Sequence, residues 1–361
     1  MTQLGPRDPF TRRATGHFGR VAMWEGHEIV EMSSPQLHLK VSLSRGAEIL
    51  EMRSRKLDMD VLWHGQEDIV RHRPATQTSA ASIGSFLDHF SGGWQEVLPT
   101  AQYPVEYKGA PIGAHGEVAT LSWDYRIISD QPNELAVEFF VNLRRFLLRL
   151  TRRMTLTDGA LRMDETVENL SPEIIEFQWG HHLVLGGPFV DPGMEMIISE
   201  GERIEIPNYP SPTYRYKVET ETKWPNAYLA DGSLADVTVV GENDGTDGHL
   251  ILGPMNNTAV IFRNRNLATD IKVAWDMKVF PYCWIWMVLG GIPQWPLWGR
   301  DRLVTLEPFS SPVIPLTDAI AQGSALTLEP KGKMESWVLC EISDAPQSVG
   351  LNSNENGVKS E

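Results

Sequence analysis

Two adjacent histidines stand inside an otherwise apolar run, Phe177 to Gly187, FQWGHHLVLGG. Adjacent residues of a strand face opposite ways. Phe177, Trp179, His181, Leu183 and Leu185 therefore share a bulky face, and Gln178, Gly180, His182, Val184 and Gly186 share one made mostly of small residues. His182 then has room beside it for a ligand, while His181 is packed among large apolar groups. Three further stretches combine glycine, aromatics and groups able to exchange protons. SGGWQEVLPT sets Trp94, Gln95 and Glu96 behind a glycine pair, where backbone can approach a ligand closely. GAHGEVATLSW places His115 among small residues in a loop. LVTLEPFSSP puts Glu307 near the end of a strand that Pro308 stops. Taken singly, each has a plain structural reading: Glu96 and Glu307 as solvated carboxylates, His115 as a turn hydrogen bonder.

The elements that must position these groups read as short strands. LHLKVSL (37–43) alternates, and turn signals at Gly46, Asp158-Gly159, Gly201, Asp231-Gly232, 241–248, Gly323 and Lys331-Gly332 punctuate similar runs. Such spacing points to antiparallel strands stacked in a sandwich, not to βαβ units. Around Asp158-Gly159 a two-residue turn would pair Leu156 with Leu161, Met154 with Met163, Arg152 with Glu165 and Leu150 with Val167. On the other face it would pair Arg153 with Asp164, Thr151 with Thr166 and Arg149 with Glu168. Like meets like or charge meets countercharge at every rung, which is what cross-strand pairing rewards. The arginine run LRRFLLRLTRR thereby has a structural explanation. Residues 1–27 read as an irregular N-terminal segment, 28–343 as one domain and 344–361 as a flexible tail.

Composition narrows the partners. The 361 residues are 42% hydrophobic and 22% charged, with 12 tryptophans, which suits a globular chain with a large core. A formal charge of -15 repels polyanions, and no basic patch offsets it, so neither a nucleic acid nor an anionic membrane surface is an expected partner. Cys283 and Cys340 are far apart and lack metal-type spacing, so neither a disulfide framework nor a zinc site is expected. A reducing cytoplasm fits, the N-terminus has no apolar signal core, and no run reaches the roughly 18 apolar residues of a membrane span.

The order of these segments resembles the galactose mutarotase-like superfamily, the aldose 1-epimerases. It is carried by GGW-x-E, His-Gly before a strand ending in Trp123, R-x-T-L-T-x-G-x-L leading to W-G-H-H, and a late L-E-P followed by Ser-Ser-Pro. The resemblance spans about Leu37 to Glu341. It implies a large antiparallel β-supersandwich and an isomerase that interconverts the α and β anomers of a free sugar without metal or organic cofactor. By position it implies that His115 holds the sugar ring, that His182 is the general acid and that Glu307 is the general base. Trp94, Gln95, Glu96, Gln178 and Trp275 become candidates for sugar contact, with Trp179 and Trp298 as further stacking platforms. The family's substrate-binding arginine and aspartate have no counterpart that can be placed here. A neutral sugar is expected over a phosphorylated one, although Arg71, Arg73 and Arg300 have no evident pairing. Two other readings stay open: a carbohydrate-binding module without turnover, and a glycosidase pairing Glu307 with Glu96 or Glu117 at ~5 to 9.5 Å.

Overall fold

The computed structural model describes residues 18–65, 86–256 and 259–346. Two large antiparallel sheets dominate. The first has twelve strands, eleven of them in an unbroken path: Phe18–Trp24, His27–Ser33, Leu37–Ser42, Ile49–Ser54, Trp94–Val97, Gly180–Leu185, Arg302–Phe309, Tyr282–Leu289, Thr246–Leu252, Arg203–Ile206 and Thr220–Lys223. The short strand Met59–Asp60 pairs with Ile49–Ser54 off that path. The second sheet has eight strands, in the order Glu195–Ile197, Ala259–Asn264, Thr269–Trp275, Lys333–Asp344, Ala160–Asn169, Leu148–Thr157, Glu134–Asn142 and Asp124–Gln131. One apolar core contains residues of both, among them Met52, Leu183 and Leu306 from the first and Phe139, Leu150 and Met163 from the second.

The hairpin at Asp158-Gly159 has the expected register at all seven rungs. Its two strands bury alternate residues only, so the second sheet has one dry face. Gly180–Leu185 is buried at every position, and Arg302–Phe309 at all but its first. The centre of the first sheet is therefore covered on both faces, by the core on one side and by the walls of a cavity on the other. This explains why alternation is weak there. The N-terminal expectation needs correction. Phe18–Trp24 is a strand paired along its length with His27–Ser33, and Glu25 and Gly26 turn it with φ of 46° and 78°. Two left-handed residues suit a tight hairpin, and Glu-Gly is a weaker signal for one than Asn-Gly.

A buried ionic cluster joins the two sheets. Arg152 Nε donates to Glu165 Oε1 at 2.8 Å, Nη1 to the Ala47 carbonyl at 2.9 Å and Nη2 to Glu96 Oε2 at 2.5 Å. His181 Nε2 lies 2.9 Å from Glu165 Oε2, and the Trp179 indole N–H donates to Glu96 Oε1. Burial alone would lower the His181 pKa, but the charges of Glu165 and Glu96 outweigh it and hold it above the usual value. Glu96, Glu165 and His181 offer ligand-type atoms within 4.8 Å of one another. The Arg152 guanidinium already bonds both carboxylates, so a cation of the protein's own occupies that position.

Removing one partner of a buried ion pair leaves the others charged and dry, at a cost of about 3–5 kcal/mol. Arg152→Ala is accordingly expected to lower the unfolding free energy in urea by that amount. Arg153→Ala, on the exposed face of the same strand, is expected to stay within ~0.5 kcal/mol of the parent.

Candidate active site

His182 and Glu307 come from neighbouring strands of the first sheet, whose register pairs Leu183 with Leu306 and Gly180 with Phe309. His115 arrives on a loop, in a left-handed backbone conformation with φ of 57°. Non-glycine residues in that region cluster at functional sites. All three side chains line one cavity of about 710 Å³. His182 Nε2 lies 3.7 Å from Glu307 Oε1. The His115 ring stands edge-on to His182 at 5.2 Å between centroids and stacks on Phe86 at 4.3 Å.

Hydrogen bonds fix which atoms face each other. The Gln95 amide nitrogen donates to the Gly92 carbonyl and, at 3.2 Å, to Glu48 Oε2. Its oxygen therefore faces His182 Nδ1, 3.2 Å away, and that nitrogen carries the hydrogen. Nε2 is left as the unprotonated nitrogen on the side of Glu307. Thr305 Oγ1 accepts from the Trp286 backbone N–H at 2.9 Å and donates to Glu307 Oε1 at 2.8 Å. Burial raises the Glu307 carboxyl to about 8 against the weaker opposing effect of Thr305. Burial, reinforced by His115, pushes His182 well below the usual imidazole value, and burial holds His115 at about 4. At neutral pH the cavity thus holds a carboxylic acid facing a neutral imidazole, a couple with one titratable proton.

The small-residue face of the histidine strand is not vacant. A Cβ on Gly180 would fall 2.1 Å from the Phe309 ring, and one on Gly186 would fall 2.4 Å from Trp63 Cβ. The glycines admit these two aromatics, and both line the cavity. The room beside His182 is made by the walls they form.

Of the other residues that the sequence suggests, Gln95 touches the site through His182. Trp94 and Glu96 alternate with it and so point the other way, opposite Leu183 and His181. Trp94 packs in the core with its ring edge toward His181, and Glu96 belongs to the ionic cluster. Gln178 is buried and ties two loops, its oxygen accepting from the Ala101 N–H at 3.2 Å and its nitrogen donating to the Val313 carbonyl at 2.5 Å. Trp275 lies on the second sheet with its N–H on the Phe280 carbonyl at 3.0 Å. Trp179 is in the core, and of the four stacking candidates only Trp298 lines the cavity. Glu117 accepts the backbone N–H groups of Arg144 and Arg145, each at 2.9 Å. Neither Glu96 nor Glu117 lines the cavity, so the carboxylate pair of a glycosidase is not assembled from them.

The cavity recruits residues that the motifs did not single out, namely Trp63, Trp284, Trp286, Trp295, Tyr209 and His249. Alternation along Thr246–Leu252, which puts Asp247, His249 and Ile251 on one face, was the signal available for His249. Arg300 lines the cavity, while Arg71 and Arg73 lie outside the described residues.

A family model described as "Domain of unknown function (DUF4432)" matches residues 24–342. Among solved structures, the chain is similar to a provisionally assigned aldose 1-epimerase from Klebsiella pneumoniae subsp. pneumoniae MGH 78578, with a TM-score of 0.68, 13% identity, and coverage of 92% of this chain and 86% of that one. It is also similar to a galactose mutarotase-like protein from Clostridium acetobutylicum, with a TM-score of 0.62, 13% identity, and coverage of 91% and 99%. A galactose mutarotase related enzyme from Lactobacillus acidophilus gives 0.56, 15%, 92% and 100%. No curated protein matches the chain. The fold is the all-β galactose mutarotase-like sandwich, and at these identities the likeness speaks for the fold alone.

The Glu307 carboxyl supplies a stability test. Between the ordinary carboxylate value of 4.5 and about 8, the unfolded chain has released this proton and the folded chain retains it, so stability contributed here falls as pH rises. Glu307→Gln, which cannot ionise, is expected to melt higher than the parent at pH 8, and the difference should close as pH approaches 4.5. Melting curves at pH 5 and 8 measure it.

Proposed function

The chain belongs to the family described as "Domain of unknown function (DUF4432)", and for this member of it we propose aldose 1-epimerase-like activity, the interconversion of α and β anomers of a free sugar by general acid/base ring opening. The observation that carries the reading is the His182–Glu307 couple, held at 3.7 Å in one cavity with His115. Ring opening needs one proton removed from the C1 hydroxyl and one delivered to the ring oxygen. With the proton on His182 and Glu307 ionised, the carboxylate takes the hydroxyl proton while the imidazolium protonates the ring oxygen, as the resemblance implies. Opening leaves Glu307 protonated and His182 neutral, the arrangement that burial favours at neutral pH. The aldehyde then turns about the C1–C2 bond, and closure on its other face returns both protons. The cycle also closes from the opposite starting arrangement with the two roles exchanged. Activity therefore depends on the couple's total of one proton.

His115, neutral and stacked on Phe86, suits a hydrogen bond to the sugar better than proton delivery. Trp284, Trp286, Trp295 and Trp298 offer faces on which the C–H side of a sugar can stack. A neutral sugar is favoured over an anionic one. Among the described residues, the cavity is lined by the carboxyls of Asp88, Asp301 and Glu307 and by one cationic side chain, Arg300. Both cysteines are buried and unpaired, which suits a reducing compartment and supports the cytoplasm as the place of the reaction.

Glu307→Gln and His182→Asn are each expected to slow anomer exchange by ~10² or more, followed by polarimetry on freshly dissolved sugar, with less than additive effects in combination. His181→Asn is expected to cost stability before activity. Retention of wild-type exchange by both folded site variants would leave a binding module as the better reading.

The pH profile follows from the same couple. Exchange is expected to decline above about pH 8 as the shared proton is lost. A second decline is expected in acid, once the couple gains an additional proton at a pH below the usual imidazole range. Rates measured across pH 4 to 10 give both limbs.

A further inference from the structure

His249 takes no part in the proton transfers, yet it is set into the same cavity. It lies on Thr246–Leu252, separated from the Glu307 strand by Tyr282–Leu289, and stands directly opposite Trp286. At about 4.8 Å per strand across the sheet and two residues of offset along it, its backbone is roughly 12 Å from that of Glu307, a separation that the width of a sugar ring and two inward side chains can fill. The ring is 4% exposed, and neither nitrogen has a hydrogen-bond partner. The Trp286 indole nitrogen, also lining the cavity, is buried and unpartnered as well. Trp284 and Tyr209 meet the His249 ring edge-on at 5.6 and 5.8 Å, which limits its rotation. Buried polar groups nearly always have partners, so two on neighbouring strands without any, both on residues that line one cavity, point to a ligand as the partner.

The chemistry of that ligand follows from the groups. Burial lowers His249 to about 4, so the ring is neutral at pH 7 and offers one donor and one acceptor. The indole offers one donor. A hydroxyl can donate to the imidazole's bare nitrogen and accept from the indole, using both. A carboxylate or phosphate can only accept, and would set its charge against that lone pair. Asp247, on the same face two residues away, has one carboxyl oxygen held by Ser211 and Thr213 and the other unpartnered, which further disfavours an anion.

We propose that His249 and Trp286 form a hydroxyl-recognition subsite that takes one ring hydroxyl of a neutral sugar on the side away from the anomeric carbon, thereby choosing among sugars that the His182–Glu307 couple would treat alike. The inference rests on the sugar-isomerase reading and names the determinant of its specificity.

The test separates binding from turnover. Glucose, galactose, mannose and their 2-, 3-, 4- and 6-deoxy analogues are titrated calorimetrically into Glu307→Gln protein, with and without His249→Ala. Loss of His249 is expected to weaken binding of the preferred hexose about 10- to 100-fold. Against one deoxy analogue, at C3 or C4, it is expected to cost almost nothing, because the hydroxyl it serves is already missing. His249→Gln, which keeps a donor and an acceptor, should restore most of the affinity, and it carries the test if the alanine variant does not fold. An equal loss against every analogue, no loss at all, or no binding by any of these hexoses overturns the inference. If the selective pattern appears while wild-type protein exchanges no anomers, the subsite stands and the isomerase reading falls. If exchange is present and the loss is uniform, the reverse holds.

Discussion

The strand Gly180–Leu185 has to serve two environments at once, and its period of two is what allows this. His181 turns inward to Glu165 and Glu96, and His182 turns outward to Gln95 and Glu307. A slip of one residue would carry a neutral imidazole into an ionic cluster and a protonated one into a cavity that raises carboxyl pKa values. The cluster around Arg152 opposes such a slip. It links Glu96 and His181 of one sheet to Arg152 and Glu165 of the other, with every charge satisfied by a countercharge at hydrogen-bond distance. The inward histidine thus fixes the outward one, and proton chemistry on one face depends on ion pairing on the other.

The two faces show what burial does to charge with and without partners. Glu165 is buried as completely as Glu307, yet His181 and Arg152 overcome the desolvation and hold its carboxyl low, whereas burial and the Glu165 charge raise Glu96, in the same cluster, to about 7. Glu307 has one hydroxyl, from Thr305, and a neutral imidazole, so desolvation wins. A carboxyl near 8 can hold and release a proton at cellular pH, which a solvated one near 4.5 does poorly. The price is stability at neutral pH and above, of the kind that active sites often forgo.

Much of the architecture was legible in the sequence because it rests on local rules. The hairpin at Asp158-Gly159 follows from matched rungs, and the opposite facing of His181 and His182 follows from the pleat. That His115, His182 and Glu307 share a cavity was legible only through the resemblance, since nearly 200 residues separate the outer two. The misplaced contacts share a cause. Trp94 and Glu96 are suggested by nearness to glycine, whereas facing decides: Gln95 reaches His182, and its two neighbours turn to the core. Gln178 precedes the strand Gly180–Leu185, and its amide is taken up by the backbone at Ala101 and Val313. Trp275 and Trp179 could not be told from Trp284 and Trp286 by composition, because all four sit in apolar runs of sequence. What separates them is which side of a sheet the distant loops cover. The strand Phe18–Trp24 was missed because its turn uses Glu-Gly and several of its residues are polar or small.

The central claim is that the His182–Glu307 couple moves protons on a free sugar. Two-dimensional NMR exchange spectroscopy on a panel of neutral aldoses, with the anomeric protons resolved and the wild-type protein present in catalytic amount, tests it most directly. The account predicts cross-peaks between the α and β anomers of at least one sugar at rates well above buffer, absent when Glu307→Gln protein is substituted. Anomeric signals that exchange no faster with wild-type protein than in buffer, across a panel that includes a sugar shown to bind, would contradict it.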